Sequence, residues 1–491
     1  MILSDLTLYV PLYIAIGGCV IYFATRSLPR RLRYISGTLT AVWLIFAFTL
    51  LFSVITRHAI FTDISFIGIT GGLLITGIGA VAAWASQGNL DPEGPVHLYY
   101  PLFLFALAGA TAVGFATDLF TIFVMVELSA IPVYALVAYR YRQEKAALSS
   151  AIKYLIQGVA GTITALFGIA ILFFFGHTLS ITGLPAALAG VNPSLVLIAA
   201  IFIILGYGVK LAIIPLHTWL PEAYARAPSG ITAIMVGATK IGVLIALFLS
   251  LSALPAGSDL PVNLGIVVTF IAIVTMTVGN LLALGQSELR YALAYSSIAQ
   301  MGYIFLGFGI GMIYNLALGY TAGLYYAIAY SLTKSGAFLS ADAFATSAGS
   351  YETSKMKGLG ARYPLLGLSL VVFVFGLIGV PFTCGFLGKL LLEQAGMATS
   401  LLSGFILALI LGANSAISLG YYVPILSTLI FKGKGTDPGD TGLQNSQKIP
   451  VTIMSAIVFL AIVTVYFGLF PESFDWISHA SSQLFTWGSR L

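Results

Sequence analysis

Fourteen apolar stretches, each close to the roughly 20 residues a helix needs to cross a bilayer, leave this 491-residue chain few folds to adopt. They lie at about 4–23, 35–55, 64–84, 99–116, 119–139, 148–175, 195–214, 229–252, 263–284, 291–309, 316–344, 365–390, 401–431 and 451–470. Hydrocarbon offers no water to a backbone N–H or C=O, so a spanning segment is a helix or a strand of a closed barrel. The ten-residue alternating segments of a barrel are absent. The expected fold is therefore an all-α polytopic membrane protein with about 14 transmembrane helices. Composition agrees, with 59% hydrophobic and 8% charged residues, against about 25% charged in a soluble domain. The first stretch follows one acidic residue and lacks both a basic n-region and a small-residue cleavage site, so it reads as a retained span. Cys19 and Cys384 lie far apart in apolar runs and give no disulfide framework.

The loops test the count, because Lys and Arg favour the cytoplasmic side. Odd-numbered loops hold Arg26, Arg30, Arg31, Arg33, Arg140, Arg142, Lys145, Arg226, Arg290, Lys355, Lys357, Arg362, Lys432, Lys434 and Lys448, which is 15 of the 22 basic residues. Even-numbered loops and the tails hold Arg57 and Arg490. This asymmetry predicts a multi-pass protein of the cell membrane with both termini outside, and the polar loop 432–450 as a cytoplasmic docking surface.

Five lysines remain inside the spans: Lys153 in span 6, Lys210 in span 7, Lys240 in span 8, Lys334 in span 11 and Lys389 in span 12. A charge at the centre of a bilayer helix costs about 2.5–3.5 kcal/mol on insertion scales, so such residues point to function. Their main buried carboxylate is Glu127 in span 5. Lysine moves protons only if its pKa falls from about 10.4 toward neutrality. Burial drives that fall, and a nearby carboxylate opposes it. A Lys210–Glu127 pair would hold a proton when closed and release it when opened; read without transport, it is a static tie between spans 5 and 7. Lys153 follows a basic loop closely enough to snorkel to the headgroups. His217 would relay a proton near neutral pH, or simply cap and pack. Glu288 and Arg290 read as surface or interface groups, and Asn280, Gln300 and Asn414 as interhelical hydrogen-bonders. GFGIGM at 307–312 lacks the strand and lysine of a nucleotide site. No CxxC or HExxH pattern suggests a metal.

Two prolines, Pro215 in span 7 and Pro381 in span 12, should break their helices, freeing the carbonyls of Leu211 and Leu377. Each span is the fourth of a five-helix unit, spans 4–8 (99–253) and spans 9–13 (262–431). Five being odd, the second unit would be inverted relative to the first, with an ion site at the broken helices. Residues 1–98 form three preceding helices, and 451–491 the last helix and tail.

The run Lys210-x4-Pro215-x-His217-Thr218-Trp219-Leu220-Pro221-Glu222-Ala223, then Ala227-Pro228 and Lys240, resembles the antiporter-like proton-translocating membrane subunits shared by respiratory complex I, membrane-bound hydrogenase-type complexes and Mrp cation/proton antiporters. Asp118, Glu127 and Pro132 resemble the same family's span-5 signature. The resemblance implies that Glu127 is the essential glutamate, Lys210 its partner and Lys240 the connecting lysine. Lys334 matches a span-11 lysine, and Lys389 the group near the outward exit, where some relatives have Glu. Lys153 precedes an aromatic residue, as is frequent in the family. Tyr330 stands where many relatives carry histidine, leaving tyrosine hydroxyls and water to bridge Lys240 and Lys334.

It further implies proton movement, or Na+/H+ exchange, within a redox-driven respiratory or hydrogenase-type complex. This chain would hold no cofactor, with iron–sulfur, flavin or nickel–iron centres confined to peripheral partners on the cytoplasmic side. Other membrane subunits, including a neighbouring antiporter-like one, would flank it, and nucleic acid would not bind. The tail of about twenty residues after span 14 lacks an amphipathic arm, which suggests an inner pump module or one of the shorter antiporter subunits. The alternatives are a Mrp-type Na+/H+ antiporter subunit without redox partners, and a scaffold that shares the fold without transporting.

Overall fold

Each apolar run folds as a helix, the local way to satisfy its own backbone in hydrocarbon. The computed structural model describes residues 9–29, 33, 35–56, 63–88, 90, 95–255, 259–431 and 449–470. The loop 432–448 and the tail after residue 470, both subjects of expectations above, lie outside the described residues. In chain order the principal helices are α1 (Val10–Ser27), α2 (Ile35–Thr56), α3 (Asp63–Ser86), α4 (Val96–Val113), α5 (Leu119–Val137), α6 (Lys145–Gly176), α7 (Pro193–Leu211), α8 (Leu220–Arg226) and α9 (Ser229–Ser252). They continue as α10 (Leu260–Leu284), α11 (Leu289–Tyr314), α12 (Ala317–Ala348), α13 (Pro364–Ile378), α14 (Cys384–Met397), α15 (Leu401–Ile430) and α16 (Val451–Leu469). Asp118 caps α5 by accepting from the Thr121 amide at 2.8 Å, and Pro193 opens α7 after the capping Asn192.

Among the described residues, twelve helices are long and apolar enough to cross a membrane, or thirteen if the bent pair Thr353–Arg362 and Pro364–Ile378 is one span. The number falls short of fourteen for physical reasons. Helix α12 is long enough at 32 residues, but Lys334, Asp342 and a run of serines and threonines dilute its hydropathy. Helices α13 and α14 have only 15 and 14 residues.

Burial ranks the helices. In α9 and α11 the spanning window is 94% buried, against 22% in α15, so α9 and α11 form the centre and α15 a rim. The polar helix α12 is buried along nearly its whole length, with α9, α11 and α14 packed against it.

Both expected breaks exist, but neither proline sits inside a helix. Helix α7 ends at Leu211, the residue whose carbonyl the Pro215 ring would strike if the helix continued. Ala212 turns left-handed at φ 59°, and α8 resumes at Leu220. The Trp219 indole donates to the Val209 carbonyl at 2.7 Å and stacks on Tyr154 at 4.0 Å between centroids. The Ile214 amide finds Thr275 Oγ1 at 3.1 Å. Helix α13 likewise stops at Ile378, three residues before Pro381. Gly379 follows at φ 92°, and the Leu377 carbonyl accepts from Gln300 at 3.3 Å.

Candidate functional site

The two breaks gather polar groups toward the middle of the bundle. Beside the first, Lys210 near the end of α7 reaches α5. Its Nζ lies 3.2 Å from Glu127 Oε1 and donates to the Tyr134 hydroxyl at 2.9 Å. The lysine is sealed, with its side chain 3% exposed, whereas that of Glu127 is 19% exposed, although the Oε1 that faces the lysine is buried.

Lys240 follows a π-helical turn, Met235–Thr239, within α9. Such a turn widens the helix and frequently marks functional sites; nothing in the sequence reading anticipated it. Lys210 and Lys240 line one cavity of about 20 Å³ with Ser129, Tyr154, Trp219 and Thr239. That volume suits a single water. The Lys240 amine has no hydrogen-bond partner among the described residues.

Lys334 on α12 donates to the Leu293 carbonyl at 2.9 Å, to Ser296 and to the Tyr422 hydroxyl at 3.3 Å. Tyr330, one turn earlier, turns its ring toward Lys240. Beyond Lys334, Tyr422 bonds Ser296 at 3.0 Å and Tyr326 donates to Gln300. Tyr326 packs on Tyr303 at 5.5 Å, and Tyr303 presents its ring to Lys389 at 4.6 Å. Lys389, in the second half of its broken span, donates back to the Ile378 carbonyl ending the first half, at 2.7 Å, and to Ser415 at 3.0 Å. Gly379 makes room for this reach, since a Cβ there would stand 2.8 Å from Lys389 Cδ. Four lysines, Lys210, Lys240, Lys334 and Lys389, are thus buried among the described residues.

The fifth expected lysine differs. Lys153 is 50% exposed and forms a two-oxygen contact with Glu222 of α8 at 2.6 and 2.9 Å. His217 is half-buried, its Nδ1 3.3 Å from the Pro215 carbonyl, and it contacts none of the buried lysines. Asn280 and Asn414 bond one another across α10 and α15, with Tyr421 donating to Asn280 at 3.0 Å, as expected of interhelical amides.

Arg290 is a correction. It is 2% exposed rather than a surface group, because the start of α11 packs under the carbonyl end of α8. It donates to the carbonyls of Ala225 at 2.7 Å and Ala227 at 3.0 Å, and to Asp342 of α12. Tyr351 donates to the same carboxylate at 2.7 Å. Asp342 escaped the sequence reading, although an aspartate in the apolar run SADAFA was the available signal. Among the described residues no group of three or more His, Cys, Asp or Glu is placed to hold a metal ion.

A long helical bundle with amines sealed along its centre, next to two interrupted helices, defines a polytopic membrane protein built like an ion translocator. The family model described as NADH:quinone oxidoreductase/Mrp antiporter, TM, matches residues 116–415, and the chain belongs to that family. It is 32% identical over 422 residues to F(420)H(2) dehydrogenase subunit N of Methanosarcina mazei, covering 82% of this chain and 80% of that one. It is also 32% identical over 422 residues to NADH-quinone oxidoreductase subunit N of Chromohalobacter salexigens, covering 84% and 85%. A chain of the membrane-bound sulfane sulfur reductase, an archaeal respiratory membrane complex, superposes with a TM-score of 0.81 at 26% identity over 98% of this chain and 97% of that one.

Proposed function

We propose that this chain is the antiporter-like, proton-translocating subunit of a redox-driven membrane complex. The observation that carries the reading is the row of four buried lysines on separate helices, each in a polar or aromatic shell, with Lys210 and Lys389 beside the two helix breaks. Protons enter from the cytoplasm near α7–α9, pass along Lys210, Lys240 and Lys334, and leave outward by Lys389. Tyrosine hydroxyls, Gln300 and water bridge the gaps. Glu127, whose side chain is partly exposed, couples this row to a neighbouring subunit. His217 and Lys153 serve the entrance, since neither touches the buried row.

Redox drive is favoured over a Mrp-type antiporter because the relatives at 32% identity bear names of dehydrogenase and quinone oxidoreductase subunits. Electron-carrying cofactors then belong to partner chains on the cytoplasmic side. The two units, 99–253 and 262–431, are read as inverted repeats, supported by a broken fourth member in each. Read with fourteen crossings, the chain has both termini on the same side of the membrane, and the Lys and Arg of the odd-numbered loops favour the outer side for them.

The test is Lys210→Ala in the intact complex, assayed for redox-driven proton uptake into inverted vesicles. Loss of pumping with normal assembly supports the reading, and undiminished pumping overturns it. Affinity purification through the C-terminal tail with iron determination separates the two drives: an iron-free assembly with only small membrane partners would replace redox drive with Na+/H+ exchange.

A further inference from the structure

The Lys240 amine is buried, 3% exposed as a residue, with no hydrogen-bond acceptor among the described residues. Two aromatic rings take the place of one. Its Nζ lies 5.5 Å from the ring centre of Tyr224, on α8, and 5.8 Å from that of Tyr330, on α12. Both distances fall within the range in which a ring face attracts a cation. The Tyr224 hydroxyl has no hydrogen-bond partner among the described residues, so what this residue offers Lys240 is its ring.

Tyr224 is held unusually firmly for a residue on a seven-residue helix. Its carbonyl accepts from Thr232 at 3.2 Å, and its ring meets Trp219 and Phe338 edge-on at 6.2 and 5.6 Å. The next carbonyl, of Ala225, is gripped by Arg290, whose other arm is fixed by Asp342. Helix α12 supplies Tyr330, one wall of the lysine pocket, and also Asp342, the anchor of the other wall. The charge on Arg290 further suits the carbonyl end of α8, where the helix dipole is negative.

We propose that Tyr224 and Tyr330 form a two-ring clamp for the protonated amine of Lys240, and that the buried Arg290–Asp342 pair is the device that positions Tyr224 in it. The proposal rests on the reading of Lys240 as a proton carrier. The charged and titratable groups around the amine are Lys210 across the shared cavity, backed by Glu127, then Tyr154 from α6, Tyr224 from α8, and Tyr330 and Lys334 from α12. Lys210 and Lys334 repel a proton on Lys240, and Glu127 is already engaged by Lys210. Among the protein's own groups, retention of the proton therefore falls to the rings, and their loss moves its release to lower pH.

The experiment is the pH profile of proton translocation by the intact complex in inverted vesicles. Tyr224→Leu should move the midpoint of the alkaline limb down by about half to one pH unit, a three- to tenfold loss of proton affinity. Tyr224→Phe, which keeps the ring, should restore the midpoint. Asp342→Asn should shift it in the same direction by less, and should add nothing once Tyr224 is Leu. Arg290→Lys serves the same comparison should the Asp342 variant fail to assemble. A Phe variant shifted as far as the Leu variant would overturn the clamp, because the hydroxyl would then carry the effect. Equal Asp342→Asn shifts with and without the Tyr224 ring would overturn the positioning role. Wild-type pumping with a wild-type profile in Lys240→Gln would instead remove Lys240 from the path, and the clamp with it.

Discussion

The charged side chains divide by what surrounds them. Asp342 and Arg290 are sealed at 3% and 2% side-chain exposure, whereas Lys153 and Glu222 stand at 50% and 35%. Removing one partner of the sealed pair leaves an uncompensated buried charge: Asp342→Ala is expected to destabilise by about 3–5 kcal/mol, seen as a lower melting temperature of the purified complex. Glu222→Gln breaks an open pair and should cost under about 1 kcal/mol, by the same measurement. A loss as large as that of Asp342→Ala would show that the Lys153 pair is covered in the assembly. At the first break, Glu127→Gln takes the countercharge from a sealed lysine, while Tyr134→Phe takes only a neutral acceptor. The first should lower pumping by about tenfold or more and the second less, since stripping the partner from a buried charge costs about 3–5 kcal/mol, against about 1.5–3 kcal/mol for a hydrogen bond to a charged group. The residue list was legible in the sequence wherever a charge interrupts an apolar run, as at Lys210, Lys240, Lys334 and Lys389. Arg290 was misjudged because it lies close to a helix end, where sequence cannot distinguish a residue facing the headgroups from one tucked beneath a neighbouring half-helix.

At the scale of the element, proline marked where two spans are interrupted but not how. Sequence placed each proline within its span, and the chain instead stops short of it, handing the turn to Ala212 or Gly379. Left-handed backbone strains a residue with a Cβ and not glycine. Ala212→Gly is therefore expected to leave pumping unchanged and to raise stability by up to about 1 kcal/mol. Gly379→Ala should act in reverse, because the new methyl group both strains a φ of 92° and crowds the Lys389 stem. A loss of about 1–3 kcal/mol, with impaired pumping, is expected; unchanged melting and transport would mean that the turn adapts freely. The π turn before Lys240 had no sequence signature, since an inserted residue in an apolar helix leaves no mark in a run of uniform hydropathy.

For the whole molecule, length and hydropathy fixed the class and most helix positions, because the bilayer enforces both. They could not rank burial. Periodicity fails in a chain whose lipid-facing and core-facing residues are equally apolar, and only the coordinates separate the rim helix α15 from the central α9 and α11. Membrane orientation rests on the loop charges. In a background lacking Cys19 and Cys384, Gln143→Cys beside Arg140 and Arg142 should react with a membrane-impermeant maleimide only from the cytoplasmic face. Ala189→Cys, one crossing later, should react only from outside. The opposite pattern would invert the proposed direction of proton flow.

The two interruptions are fastened differently. The first is pinned by the uncharged indole of Trp219 on the Val209 carbonyl, a joint indifferent to whether a proton is present nearby. The second is pinned by Lys389 itself, whose amine binds the Ile378 carbonyl across the gap. If that amine is where the proton departs, the same event weakens the fastener. On the proposed path the first joint then keeps its strength through a turnover, while the second slackens each time the proton leaves.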